Sequence, residues 1–179
     1  MSYQPKVYRA QGGNDLVVAS GGTLDIESGG ALELAGVAIA ATAAEINQAA
    51  DVSANNEIVT ATNVIAAAEN GATYYLNAVA GFLSTLPAPA LGLKFRFVVM
   101  TAPTSNGYTI ATTTSANIIK GMMLERAGTA GVAASVGDLV TFVANQSIAG
   151  DWCEFWSDGT SWFIHGMVDV AAGVTIGST

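Results

Sequence analysis

Two consecutive copies of one short pattern constrain this chain more than any other feature: Ser20-Gly-Gly-Thr-Leu-Asp-Ile-Glu27 and Ser28-Gly-Gly-Ala-Leu-Glu-Leu-Ala35. The period is eight residues. A weaker copy, one residue longer, precedes them as Gln11-Gly-Gly-Asn-Asp-Leu-Val-Val-Ala19. Each copy is a Gly-Gly turn followed by apolar–polar alternation, the period-two pattern of a half-buried strand. The glycines fit tight turns with positive φ. They do not form a phosphate loop, because neither GxxxxGK[ST] nor a helix-opening GxGxxG is present. Leu24 and Ile26 fall on one side of their copy, and Leu32 and Leu34 on the same side of the next.

Strands this short are not stable alone. Solenoid coils usually take about 20 residues or more, so eight residues do not close one. Three chains supplying eight residues each reach that length. The spacing therefore predicts an intertwined trimeric β-prism, or a β-helix-like trimerisation segment, with Leu24, Ile26, Leu32 and Leu34 on the axis. The competing expectation is a simple β-meander packed on the rest of the chain.

Composition agrees with a chain that covers itself with copies. Charged residues are 11% of the 179 residues, against about 25% in an average globular protein. A surface so poor in charge is expected to be partly buried against other chains. The net charge is −8 with six Lys+Arg, which argues against nucleic-acid binding, since that needs a basic stripe to displace counterions. The N-terminus MSYQPKVYRA lacks an apolar core of signal-peptide length, and no run of about 18 apolar residues reads as a membrane span. The expectation is synthesis in a cytoplasm without export by the usual route, and no membrane partner.

Four segments follow from the pattern. Residues 1–10 read as a polar N-terminal arm, 11–40 as the repeat and trimerisation segment, 41–56 as a short helix and linker, and 57–179 as a β-sandwich domain, jelly-roll-like. Thr42-Ala-Ala-Glu45 is a capping-box sequence that opens a helix over 42–50. Beyond residue 57 the signals are short strands and turns. Strands are predicted at Glu57–Ala61, Thr73–Ala78, Leu93–Met100, Tyr108–Thr112, Asp138–Ala144, Trp152–Trp156 and Ser161–Val168. Residues 117–124 read as a strand or a short helical turn, and Val64–Glu69 has helical propensity. Asn70-Gly71 reads as a hairpin turn between two strands, and Asp158-Gly159 as another. The class is all-β.

The residues that carry chemistry are few. His165 is the single histidine, on a strand after Trp162-Phe-Ile, with no nucleophile motif beside it; a structural or interface role is expected. Cys153 is the single cysteine, so no intrachain disulfide is possible; a buried, inert thiol is expected. Asp151, Glu154, Asp158 and Asp169 lack calcium-loop spacing and read as solvated turn residues. No catalytic residues, metal or cofactor are assigned, and the chain is expected not to be an enzyme. Trp152, Trp156 and Trp162 cluster within eleven residues. They form a candidate exposed aromatic patch, with core packing as the alternative; alternation puts Trp152, Glu154 and Trp156 on one face, opposite Cys153 and Phe155.

Three segments together resemble a known group. The run from Lys6 to Gly13, continuing through Val17-Val-Ala-Ser-Gly-Gly22 into the repeat, is similar to the N-terminus of head decoration proteins (cement or head-fibre proteins) of tailed bacteriophages. Residues 39–47, IAATAAEIN, are similar to a link in many phage structural proteins. Residues 85–99, TLPAPALGLKFRFVV, followed by Ser105-Asn-Gly-Tyr-Thr-Ile110, resemble the core of their β-sandwich domain. Trp156-Ser-Asp-Gly-Thr-Ser-Trp162 matches a terminal hairpin. The resemblance implies a homotrimer on the outer capsid surface of a virion that stabilises the shell by bridging major capsid proteins. On that reading the arm is the capsid contact, through Tyr3, Lys6, Tyr8 and Arg9. The alternative is a small tail-fibre or receptor- or glycan-binding module of a phage.

Overall fold

A computed structural model describes residues 7–9, 12, 16–50, 55–126 and 132–178. The protein is mostly β with very little helix, and its strands form several sheets. It divides into two compact units, Met1–Ile46 and Asn47–Thr179.

In the first unit, β1 (Val7–Arg9) pairs antiparallel with β2 (Leu16–Val18). Residues 7–9 of the expected arm are thus strand, with Val7 opposite Val18. The repeat then shows its period in the backbone. Gly22 N–H donates to the Ala19 carbonyl at 2.8 Å, and eight residues on Gly30 N–H donates to the Glu27 carbonyl at 2.9 Å. Gly21 and Gly29 take positive φ (74° and 89°) at the third position of these turns, as a type II turn requires. Residues 22–27 have no ladder partner among the described residues, so the strand expected there is not formed. β3 (Glu33–Leu34) and β4 (Val37–Ala38) make a two-residue hairpin over Ala35 and Gly36, both at positive φ.

Helix α1 (Ala43–Ala50) follows. Its capping box is closed: Thr42 N–H donates to Glu45 Oε2 at 2.7 Å, and Glu45 N–H donates to Thr42 Oγ1 at 3.3 Å. Those hydrogen bonds hold the Glu45 carboxyl below its usual range.

The second unit holds β5 (Asn56–Val59), β6 (Asn63–Val64), β7 (Thr73–Leu76), β8 (Phe82–Thr85), β9 (Lys94–Val99), β10 (Tyr108–Ala111), β11 (Ile119–Glu125), β12 (Val132–Gly137), β13 (Leu139–Phe142), β14 (Trp152–Ser157), β15 (Trp162–Val168) and β16 (Val174–Gly177). Seven strands form one sheet in the order β12-β11-β15-β14-β9-β7-β5, and five form another in the order β16-β13-β10-β8-β6. Phe95, Phe97, Phe155, Trp162 and Ile164 of the larger sheet join Tyr108, Ile110, Val140 and Phe142 of the smaller in one hydrophobic cluster. Burying such side chains is worth about 1.5–3 kcal/mol each, which is what holds this unit together.

Two expectations fail here. Asn70-Gly71 does not make a hairpin: β5 and β7 run parallel, and the chain between them visits the other sheet as β6. Gly71, at φ 90°, instead donates its N–H to the Lys94 carbonyl at 2.8 Å, and Asn70 Oδ1 accepts the Lys94 N–H at 2.7 Å. The pair locks the entry of β7 beside β9. Val64–Glu69 is not a helix beyond one 3₁₀ turn, Ala67–Glu69.

Candidate functional site

Two surfaces stand out, one in each unit. In the first, nine large apolar side chains between Leu16 and Ile46 are exposed, from 37% for Ile39 to 69% for Val37, and none of residues 16–46 is buried. Leu24, Ile26, Leu32 and Leu34, the four expected on an axis, are among them. Among its described residues the unit has turns and caps but no buried core.

In the second unit the outer face of the seven-stranded sheet is built from strand phase. β14 and β15 alternate strictly, so Trp152, Glu154 and Trp156 face outward with Phe163, His165 and Met167. Trp156 stacks on His165 at 4.5 Å and 9°, while Trp152 meets the same imidazole edge-on at 5.2 Å. From the opposite flank, β9 places Lys94 Nζ 5.5 Å from the Trp156 ring and Arg96 Cζ 4.6 Å from Trp152. Glu154 lies between these cations, 3.6 Å from Lys94 and 3.7 Å from Arg96. On the far strand Lys120 sits 5.9 Å from the Phe163 ring. Each indole thus has a side chain against it from both neighbouring strands. A sugar ring stacks on a free aromatic face, and this packing uses those faces.

No family model, curated protein or solved structure matches the chain.

Trp162 is not part of that patch. It is fully buried, tilted against Phe95 and edge-on to Phe155. The phase of β15 decides this: Trp162, Ile164, Gly166 and Val168 point inward, so Trp162 and Trp156 face opposite ways. Tyr3 and Lys6, with the side chains of Tyr8 and Arg9, lie outside the described residues.

Cys153 is fully buried, and burial pushes its thiol far up, which disfavours the thiolate. Asp151 is not a solvated turn residue. At 3% exposure it braces two loops, Oδ2 accepting the Ile148 N–H at 3.0 Å and Oδ1 the Asp169 N–H at 2.9 Å. Burial pushes its carboxyl up, a shift those hydrogen bonds oppose. Asp158 does turn the β14–β15 hairpin, its Oδ1 accepting the Thr160 and Ser161 N–H groups at 2.8 and 2.7 Å. Asp169 pairs with Arg126. Among the described residues no group of three His, Cys, Asp or Glu side chains is placed to hold a metal ion. No helix among them is long and apolar enough to cross a membrane.

The sequence reading missed the cation ladder. Its signal was present: Lys94 and Arg96 share the outward phase of their strand, and the two tryptophans share the outward phase of theirs.

Proposed function

We propose that this chain is a non-enzymatic structural protein of a virion, assembling as a homotrimer through its repeat segment and binding the outer surface of a phage capsid. One observation carries the assembly: the segment from Leu16 to Ile46 exposes nine large apolar side chains and buries nothing. Exposed apolar surface on that scale marks an interaction site. Three copies, each adding its eight-residue strands, would complete a β-prism with Leu24, Ile26, Leu32 and Leu34 inside. The two sheets of the second unit are read as a β-sandwich. The capsid as partner rests on the resemblance of the repeat, the IAATAAEIN link and the TLPAPALGLKFRFVV segment.

Trimerisation has a mechanical use in this setting. Three weak contacts joined in one particle act together, and avidity can exceed one contact by about 10²–10⁴. Bridging neighbouring capsid subunits would then resist outward pressure without any single tight contact. The competing glycan-binding reading needs free indole faces, and the packing around Trp152 and Trp156 does not favour it.

The deciding experiment compares binding of the purified protein to expanded capsids and to host cells, with its mass measured by light scattering. A trimer that co-sediments with capsids and not with cells is expected, and removing residues 1–11 should abolish that binding. A stable monomer removes the assembly, and binding to cells alone removes the capsid.

A further inference from the structure

The outer face of the seven-stranded sheet carries a feature independent of the repeat. Strand register aligns Leu124, Met167, Trp152, Val98, Tyr75 and Ile58 in one continuous row across six strands. All six are apolar or aromatic, and Leu124 and Ile58 at its ends are 50% and 57% exposed. At the Ile58 end, Tyr75, Met100 and Asn56 line an apolar depression of about 440 Å³. The alternation that drives Cys153, Phe97 and Tyr74 into the core sends this row outward.

We propose that this row is covered by a second copy of this chain, in the homotrimer on which the functional reading above rests. Size is the first argument. Five steps between strands, at about 4.8 Å each, make a strip about 24 Å long. At a width of about 10 Å it offers a few hundred Å², well under the roughly 800 Å² per partner of a stand-alone interface. Such a strip does not hold a free partner, but it does hold a copy already tethered nearby, where effective concentrations reach about the mM range.

Charge is the second argument, and it sets the geometry. Lys94, Arg96, Lys120 and Arg126 are all the cations of residues 47–179. Three of them lie on this face, two of them sharing the one carboxylate of Glu154, and Arg126, paired with Asp169, follows directly on β11. The chain as a whole carries −8. Two such faces set against each other would bring cations together, whereas one face set against a different, acidic surface of the next copy is complementary. The contact is therefore heterologous, the kind that closes a cyclic ring.

The native thiol is silent, so a single introduced cysteine reports cleanly. We would compare maleimide labelling of Met167→Cys and Ile58→Cys in the full chain with Val64→Cys, which is 76% exposed on the edge of the other sheet. Photo-cross-linking from the same positions identifies the occupant. Labelling at least about tenfold slower at both row positions, with cross-links joining copies of this chain, is expected. A particle of trimer mass in which both positions label as fast as Val64→Cys overturns the inference and leaves the repeat-driven trimer standing. A monomer with an open row removes both. Leu24→Asp with Leu32→Asp should abolish the cross-links together with the trimer, and copies that still cross-link through the row without the repeat would overturn the inference, since a strip of this size holds only a tethered copy. Cross-links to other proteins alone overturn it.

Discussion

Single residues in this protein are decided by which way a strand faces. Trp162 and Trp156 end the same hairpin, yet one is sealed in the core and the other lies between Lys94 and His165. The buried indole makes ring contacts with Phe95 and Phe155, and its Nε1 has no hydrogen-bond partner among the described residues. Trp162 thus acts through volume alone. Trp162→Phe keeps an aromatic ring and loses no hydrogen bond, so it should cost only about 1–2 kcal/mol, whereas Trp162→Ala should cost about 3–5 kcal/mol. Urea unfolding followed by far-UV circular dichroism measures both. Equal losses would mean that the indole N–H does have a partner. Asp151 follows the same logic in polar form: a carboxylate is tolerated in the interior because two backbone N–H groups meet it.

At the scale of elements, the strands are held apart by backbone distances that leave no room for side chains at particular points. Gly166 in β15 is the sharpest case. A Cβ there would lie 2.2 Å from the Trp152 carbonyl oxygen and 2.7 Å from Cys153 Cα, both backbone atoms of β14. Gly166→Ala should therefore destabilise the second unit by about 3 kcal/mol, at the upper end for overpacking. Gly71→Ala, where φ is 90° but nothing lies within 4 Å of the new Cβ, should cost only the left-handed strain of about 1–2 kcal/mol. Denaturant midpoints of the two variants give the comparison, and a milder Gly166→Ala would show that β14 can shift. β9 was legible in the sequence because Phe95 and Phe97 alternate with Lys94 and Arg96, and β14 because aromatic residues with high strand propensity recur through Trp152–Trp156. In β15 the pattern Trp-Phe-Ile-His-Gly-Met-Val is apolar on both faces, so its phase, and with it the place of Trp162, was not. β12 was missed because Val132–Gly137 is built from small residues with little strand signal. The parallel pairs β5–β7, β8–β10 and β11–β15 were out of reach for another reason: turn residues report local partners, and these pairings are not local.

Over the whole molecule, one unit has a core and the described residues of the other have none, and this separates two kinds of stability. Residues 47–179 contain the buried cluster and all three tryptophans. Residues 16–46 contain exposed Leu, Ile and Val and no buried side chain, so on the trimeric reading proposed above their order comes from other copies. Anything that binds only the folded form raises its apparent stability by mass action, and for a self-assembling segment that ligand is the protein itself. Unfolding should therefore show two steps. The first, in far-UV circular dichroism and in particle mass, should move to lower denaturant when the protein is diluted tenfold. The second, in tryptophan fluorescence, should stay where it is, because it follows dissociation and reports a core contained in one chain. The row from Leu124 to Ile58 does not alter this order, since a strip of that size loses its partner once the repeat lets go. A single transition seen alike by all probes and unmoved by dilution would mean that the first unit is stable within one chain, and the argument from its exposed leucines to an assembly would fail.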